Sequence, residues 1–186
     1  MRRCRSQTEA KLILEGELHQ ALLKDQFNLY YQPIFDLGLP LSSTPKLSGL
    51  EVLIRWHHPT RGCLNAGDFI AIAEEIGIVR QLYPWAIQTA CEQFQKWYTR
   101  LQHPQLALHI NLSLMQIRCP QLMPCLESNL AKYQLPPSSL QLEIEEQVLL
   151  SSEPAITKGL QQLKTLGASL CVDDFWSGAF FAEPSP

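Results

Sequence analysis

Four apolar runs in this chain each carry an oxygen-bearing side chain, and that pattern limits what the chain can become. The runs cover residues 50–55, 106–113, 140–145 and 169–175. Their polar groups are Glu51, Asn111, Glu143 and the pair Asp173–Asp174. Charged groups rarely sit in runs that read as buried strands unless they are paired or hold a cation. Strands converging in one sheet would gather these oxygens into a hard-metal site.

The segments between the runs say how such a sheet is wound. Residues 27–36 read as a first strand. The loop after it holds Pro40, Ser42, Ser43, Thr44 and Pro45 and is too short for a crossover helix, so the first two strands should be antiparallel. Helices and strands then alternate. A helix over 67–76 stops at Gly77, and another starts with Pro84 in its first turn and reaches about residue 101. After the Asn111 strand, Pro120 and Pro124 open a helix to about residue 133. A Pro136–Pro137 loop, the Glu143 strand, a helix over 155–166 closed by Gly167, and the last strand follow. Ahead of all this, Ser6-Gln7-Thr8-Glu9 resembles a capping box. Leu14, Leu18, Ala21 and Leu22 recur at helical spacing, so a helix is expected over about residues 8–24. This rhythm predicts a parallel sheet with its strand C-termini on one rim, where barrels and open α/β sheets keep their chemistry.

Composition narrows the function. The 186 residues make one ordinary domain, and 46% hydrophobic residues can bury a sizeable core. The net charge is −3, with no basic block beyond Arg2, Arg3 and Arg5, which argues against binding a nucleic-acid polymer. No apolar run approaches the ~18 residues of a membrane span. The N-terminus lacks an apolar signal core, so a cytoplasmic protein is expected. The six cysteines form no C-x-x-C pair and read as scattered reduced thiols. His57–His58 is a doublet and His109 lies in a strand-like run. No H-E-x-x-H pattern or nucleophile turn is present.

A site of two divalent cations needs many hard oxygen ligands and little sulfur or imidazole, and it suits phosphate chemistry. Glu51, Asn111, Glu143 and Asp173 can supply one ion. Asp174 can reach a second only if the chain turns at the strand end, because adjacent strand residues face opposite ways. Structural roles stand beside these. Glu51 can pair with Arg55, and Asn111 can cap the next turn. Glu143, Glu145 and Glu146 can form a solvated rim, and Asp173–Asp174 can cap a loop.

Seven ordered segments carry a family resemblance. Tyr30-Tyr31-Gln32-Pro33-Ile34, Gly49-Leu50-Glu51-Val52-Leu53-Ile54-Arg55-Trp56, and His58-Pro59 with Gly62 come first. Phe69-Ile70, Ala73-Glu74 and Gly77 follow, then Asn111-Leu112-Ser113, Leu142-Glu143-Ile144-Glu145-Glu146 and Asp173-Asp174-Phe175-Trp176-Ser177-Gly178. Together they resemble the EAL domain, the bacterial cyclic di-GMP phosphodiesterase module, over residues 8–178, with 1–7 as a tail and 179–186 as a divergent tail. The resemblance implies a TIM-like barrel with its first strand antiparallel. It implies metal ligands at Glu51, Asn111, Glu143 and Asp173, with Asp174 on a second Mg²⁺ or Mn²⁺. Glu51, Asp173 and Asp174 would be the catalytic carboxylates, and Gln32 and Arg55 would contact the dinucleotide. The implied reaction is hydrolysis of cyclic di-GMP to linear pGpG by metal-activated water.

The sequence departs from the family pattern at Val52, Glu145, Trp176 and Ser177. Trp176 stands where the family has a glycine that permits a tight turn. After Gly178 the family's catalytic Lys and later acidic ligands have no counterpart. Against the ~250 residues of a typical barrel, the reading is an incomplete barrel of about five strands, impaired or inactive as a phosphodiesterase. The alternative is a degenerate cyclic di-GMP-binding or protein-interaction module, with a homodimer or partner covering the exposed edges.

Overall fold

The computed structural model describes the backbone of residues 2–37 and 44–173, and side chains from residue 13 onward. Its elements in chain order are α1 (Arg2–Leu23), β1 (Phe27–Asp36), β2 (Lys46–His58), β3 (Gly62–Asn65), α2 (Ala66–Glu75), α3 (Val79–Leu101), β4 (Ala107–Leu112), α4 (Leu114–Arg118), α5 (Leu122–Tyr133), a 3₁₀ turn (Pro137–Ser139), β5 (Leu140–Glu145), α6 (Glu146–Leu149), α7 (Pro154–Leu166) and β6 (Ser169–Asp173).

The strands form one mixed sheet in the order β1-β2-β4-β5-β6, with β3 paired to β2 off that path. β1 runs antiparallel to β2, as the short loop requires, and β2, β4, β5 and β6 are mutually parallel. Among the described residues the sheet stays open, with β1 and β6 at its two ends. This is the α/β barrel-like arrangement expected from the alternating pattern. The described residues form six strands rather than five, because the four-residue β3 hairpin partner was not anticipated.

Strand periodicity decides which face does what. Leu108, Ile110 and Leu112 of β4 and Leu140, Leu142 and Ile144 of β5 are buried, packed with Ile87 and Phe94 of α3, Leu126 of α5 and Leu163 of α7. Each such side chain contributes roughly 1.5–3 kcal/mol of burial. The alternate residues, His109, Asn111, Gln141, Glu143 and Glu145, lie on the opposite face and are part-buried or exposed. One face of the sheet is therefore apolar and helix-covered, and the other is polar and open.

A second core joins α1 and α2 to the β1–β2 hairpin. Phe27, Trp56 and Phe69 meet with ring centroids 5.6–5.8 Å apart, and Leu14, Leu18 and Ala21 of α1 close over them. Trp56 Nε1 donates to Gln26 Oε1 at 3.1 Å. Buried His58 accepts the backbone N–H groups of Thr60 and Arg61 on Nδ1, each at 3.2 Å. That places its proton on Nε2, 3.1 Å from Glu17 of α1.

Two helix starts differ from the sequence expectation. α1 begins at Arg2, so the Ser6–Glu9 signal lies inside it. α3 begins at Val79, which puts Pro84 inside the helix rather than in its first turn. Gly77, at φ 74°, makes the short α2–α3 turn possible. The Tyr83 hydroxyl then donates to Glu74 at 3.1 Å across it. Burial first, and Glu74 second, push the Tyr83 phenol well above its ordinary range.

Candidate functional site

The register places the anticipated residues side by side. Gln32 on β1 stands opposite Glu51 on β2, and Glu51 stands opposite His109 on β4. Asn111 faces Glu143 across β4–β5, and Glu145 faces Asp173 across β5–β6. Partners in register share a face, as do residues two apart along a strand. Gln32, Glu51, Arg55, Asn111, Glu143 and Asp173 therefore all lie on the open polar face. Asp174 and Trp176 fall outside the described residues.

Asn111 Nδ2 donates to Glu51 Oε1 at 2.9 Å. A carboxylate oxygen only accepts, so the amide presents its nitrogen here and its Oδ1 is turned elsewhere. Glu51 thus takes Asn111, not Arg55, as its partner. Nor does Asn111 cap the next turn. Ser113 does that through a capping box, with Ser113 Oγ accepting from Gln116 N at 3.4 Å and Ser113 N donating to Gln116 Oε1 at 2.8 Å. The cap fixes the chain just past Asn111 and leaves that amide to the site. Glu145 accepts a hydrogen bond from Gln147 Nε2 at the start of α6.

Glu143 has a partner the sequence reading did not assign. His109 Nδ1 lies 2.7 Å from Glu143 Oε1, with both side chains largely buried at 15% and 13% exposure. The signal was available, since His109 and Asn111 are two apart in one strand and so share a face. Arg55 lies further along β2, its Cζ 5.8 Å from the Tyr30 ring, and its Nη1 donates to the Ile54 carbonyl at 3.0 Å. Beneath Gln32, Tyr31 points to the helix side and meets Trp97 edge-on at 4.7 Å. Burial, then Cys91 and Glu92, push its phenol up to about 12.

The donor chemistry fits an oxygen-preferring cation, because Glu51, Asn111 and Glu143 bring carboxylate and amide oxygens to neighbouring positions. Among the described residues, no three His, Cys, Asp or Glu side chains already gather at ligand spacing.

The EAL domain family model matches residues 15–180. The chain belongs to the EAL domain family. It is 32% identical over 170 residues to the bifunctional diguanylate cyclase/cyclic di-GMP phosphodiesterase MucR of Pseudomonas aeruginosa, covering 91% of this chain and 24% of that protein. It is 34% identical over 169 residues to the oxygen sensor protein DosP of Escherichia coli, covering 90% of this chain and 20% of that protein. The solved MucR phosphodiesterase in complex with c-di-GMP superposes with a TM-score of 0.78 at 32% identity, covering 89% of this chain and 65% of that one. The EAL enzyme Bd1971, with cAMP and cyclic-di-GMP bound, gives 0.81 at 26% identity, covering 93% and 46%. This EAL domain thus spans a quarter or less of the length of those two curated relatives. No described helix is long and apolar enough to cross a membrane.

Proposed function

We propose that the polar face binds cyclic di-GMP and, with divalent cations, opens one of its phosphodiester bonds to give linear pGpG in the cytoplasm. The observation that carries this reading is the 2.9 Å bond from Asn111 to Glu51. Its direction leaves Asn111 Oδ1 and Glu51 Oε2 for a cation, beside Glu143 on the next strand. Glu51, Asn111, Glu143 and Asp173 would hold one Mg²⁺ or Mn²⁺, and Asp174, next in the chain, would serve a second. When bound, such ions neutralise phosphate charge and supply hydroxide at neutral pH.

The remaining residues bind and orient. The Arg55 guanidinium is permanently charged, and its planar fork matches a phosphate. The Tyr30 ring beside it supports that cation. Gln32, across from Glu51, brings amide donors and an acceptor to the nucleotide. A second copy or a protein partner would pair on the sheet edges at β1 and β6, the end strands among the described residues, which sedimentation of the purified chain reads directly.

One observation favours binding without turnover. Glu143 Oε1 is committed to His109, and the described carboxylates do not yet converge on one centre. The test is incubation of the chain with cyclic di-GMP and Mn²⁺, followed by chromatography and calorimetry, with Glu51→Gln as the control. Formation of pGpG that Glu51→Gln abolishes supports hydrolysis. Nucleotide binding without pGpG supports the second reading, and no binding with or without Mn²⁺ refutes both.

A further inference from the structure

We propose that His109 is a positioning residue for the cation site. It holds the Glu143 carboxylate through Nδ1–H, and Gly49 is the residue that makes room for its ring. The inference rests on the cation reading of Glu51, Asn111 and Glu143.

Three observations carry it. His109 Nδ1 stands 2.7 Å from Glu143 Oε1, at the short end expected for a bond to a charged acceptor. The carboxylate only accepts, so Nδ1 carries the hydrogen. Second, the pair lies one step behind the proposed ligands. His109 is opposite Glu51 in register and two residues before Asn111, and Asn111 is itself opposite Glu143. A bond from behind takes one carboxylate oxygen of Glu143 and leaves Oε2. Third, the ring occupies space that only glycine can leave. A Cβ at position 49 would lie 2.5 Å from His109 Nε2 and 2.6 Å from Cδ2. Gly49 has no positive φ that would call for glycine, so steric room accounts for it, first against the imidazole and then against the Ala107 carbonyl oxygen, 3.2 Å from the same Cβ.

Groups that orient a metal ligand from behind are worth about 10–100-fold in metal affinity. A ring that merely fills space would show no such linkage.

The experiment is Mn²⁺ titration of the chain without nucleotide, read by calorimetry and by the electron paramagnetic resonance of free Mn²⁺. His109→Ala should weaken Mn²⁺ about tenfold or more. His109→Asn, whose Nδ2 occupies the place of imidazole Nδ1, should keep most of the affinity. Gly49→Ala should weaken Mn²⁺ in the parent chain and cost much less in a His109→Ala background, where only the 3.2 Å approach to the Ala107 carbonyl oxygen remains. Equal losses from His109→Ala and His109→Asn, or additive losses from Gly49→Ala and His109→Ala, would overturn the proposal. If His109→Ala does not fold, the His109→Asn and Gly49→Ala titrations decide alone. Full affinity in the first with loss in the second supports the proposal, and any other pair refutes it. Glu51→Gln and Glu143→Gln separate the two levels. If neither changes Mn²⁺ affinity, the cation reading itself fails. If both abolish binding while His109→Ala leaves it intact, only the positioning role fails.

Discussion

Replacing Gly159 by Ala sets two opposed effects against each other. Gly159 is a buried residue inside α7, and a helix interior favours Ala over Gly by about 0.8–1.0 kcal/mol. Propensity alone therefore says the variant is more stable. The structure says otherwise. A Cβ at 159 would lie 2.7 Å from Ile117 Cγ2 and 2.8 Å from the Ile117 carbonyl oxygen. The side chain could rotate, but the carbonyl belongs to the backbone of α4 and cannot. Overpacking of this kind costs about 1–3 kcal/mol, which outweighs the propensity gain, so a net loss of up to about 2 kcal/mol is expected. For a domain of this size that lowers Tm by up to about 8 °C. Because α4 follows the Ser113 cap, two residues past Asn111, its displacement also reaches the site. Mn²⁺ affinity should fall along with stability. Gly16→Ala is the control, since Gly16 lies on the exposed side of α1 and nothing lies within 4 Å of that Cβ. It should gain about 0.5–1 kcal/mol. Urea and thermal denaturation of both variants give the answer. A Gly159→Ala chain more stable than the parent by the full propensity gain of about 0.8–1.0 kcal/mol would refute the claim that the Cβ meets α4 here.

Stability should fall at alkaline pH. Burial and then Cys125 raise the Cys91 thiol from 9.0 to about 12, and burial leads the rise of Tyr31 from 10.0 to about 12. A raised folded value favours the neutral form, so this contribution is complete below about pH 9 and is lost as pH rises toward 12. Urea midpoints across that window measure it, and a flat profile would contradict the burial of both groups. Ser113→Ala removes the capping box of α4 and should cost about 1 kcal/mol in denaturant unfolding; no change would mean that Gln116 alone holds the turn. Cys63 and Cys171 are exposed and Cys91 is buried. Iodoacetamide should therefore label the first two in the native chain and Cys91 only after unfolding, as peptide mass spectrometry would show.

The parts of this fold that were legible in the sequence are those where a period repeats long enough to be counted. β1 and β5 have the anticipated bounds, β4 differs by a residue at each end, and α7 differs by one residue at its start. Each is several residues long and alternates or turns with one face more buried than the other. The elements that escaped notice, β3, α4 and α6, are four or five residues long and complete no such pattern. Two of them form where a strand ends and a polar side chain takes over the backbone. For α4 the signal was present as Ser113 followed three residues later by Gln116, which is a capping box in sequence. The start of α3 was misplaced because proline was given its usual first-turn position, whereas the helix already runs from Val79 when it reaches Pro84.

The site was legible in kind but not in its internal bonds, and the reason is register. Sequence periodicity says that Asn111 and Glu143 each face away from the helices, but not which residues stand opposite one another. That depends on how far each strand is shifted against the next. In the sheet, Glu51 aligns with His109 and Asn111 with Glu143. The amide therefore reaches across to Glu51 and the imidazole to Glu143. Shifting β4 by one residue would turn His109 and Asn111 into the apolar layer and bring Leu108 and Ile110 out beside the carboxylates. Such a shift would bury an amide and an imidazole among Ile87, Phe94 and Leu126, at a cost of several kcal/mol. The same apolar packing that holds the helices on one face thus fixes which polar atoms meet on the other.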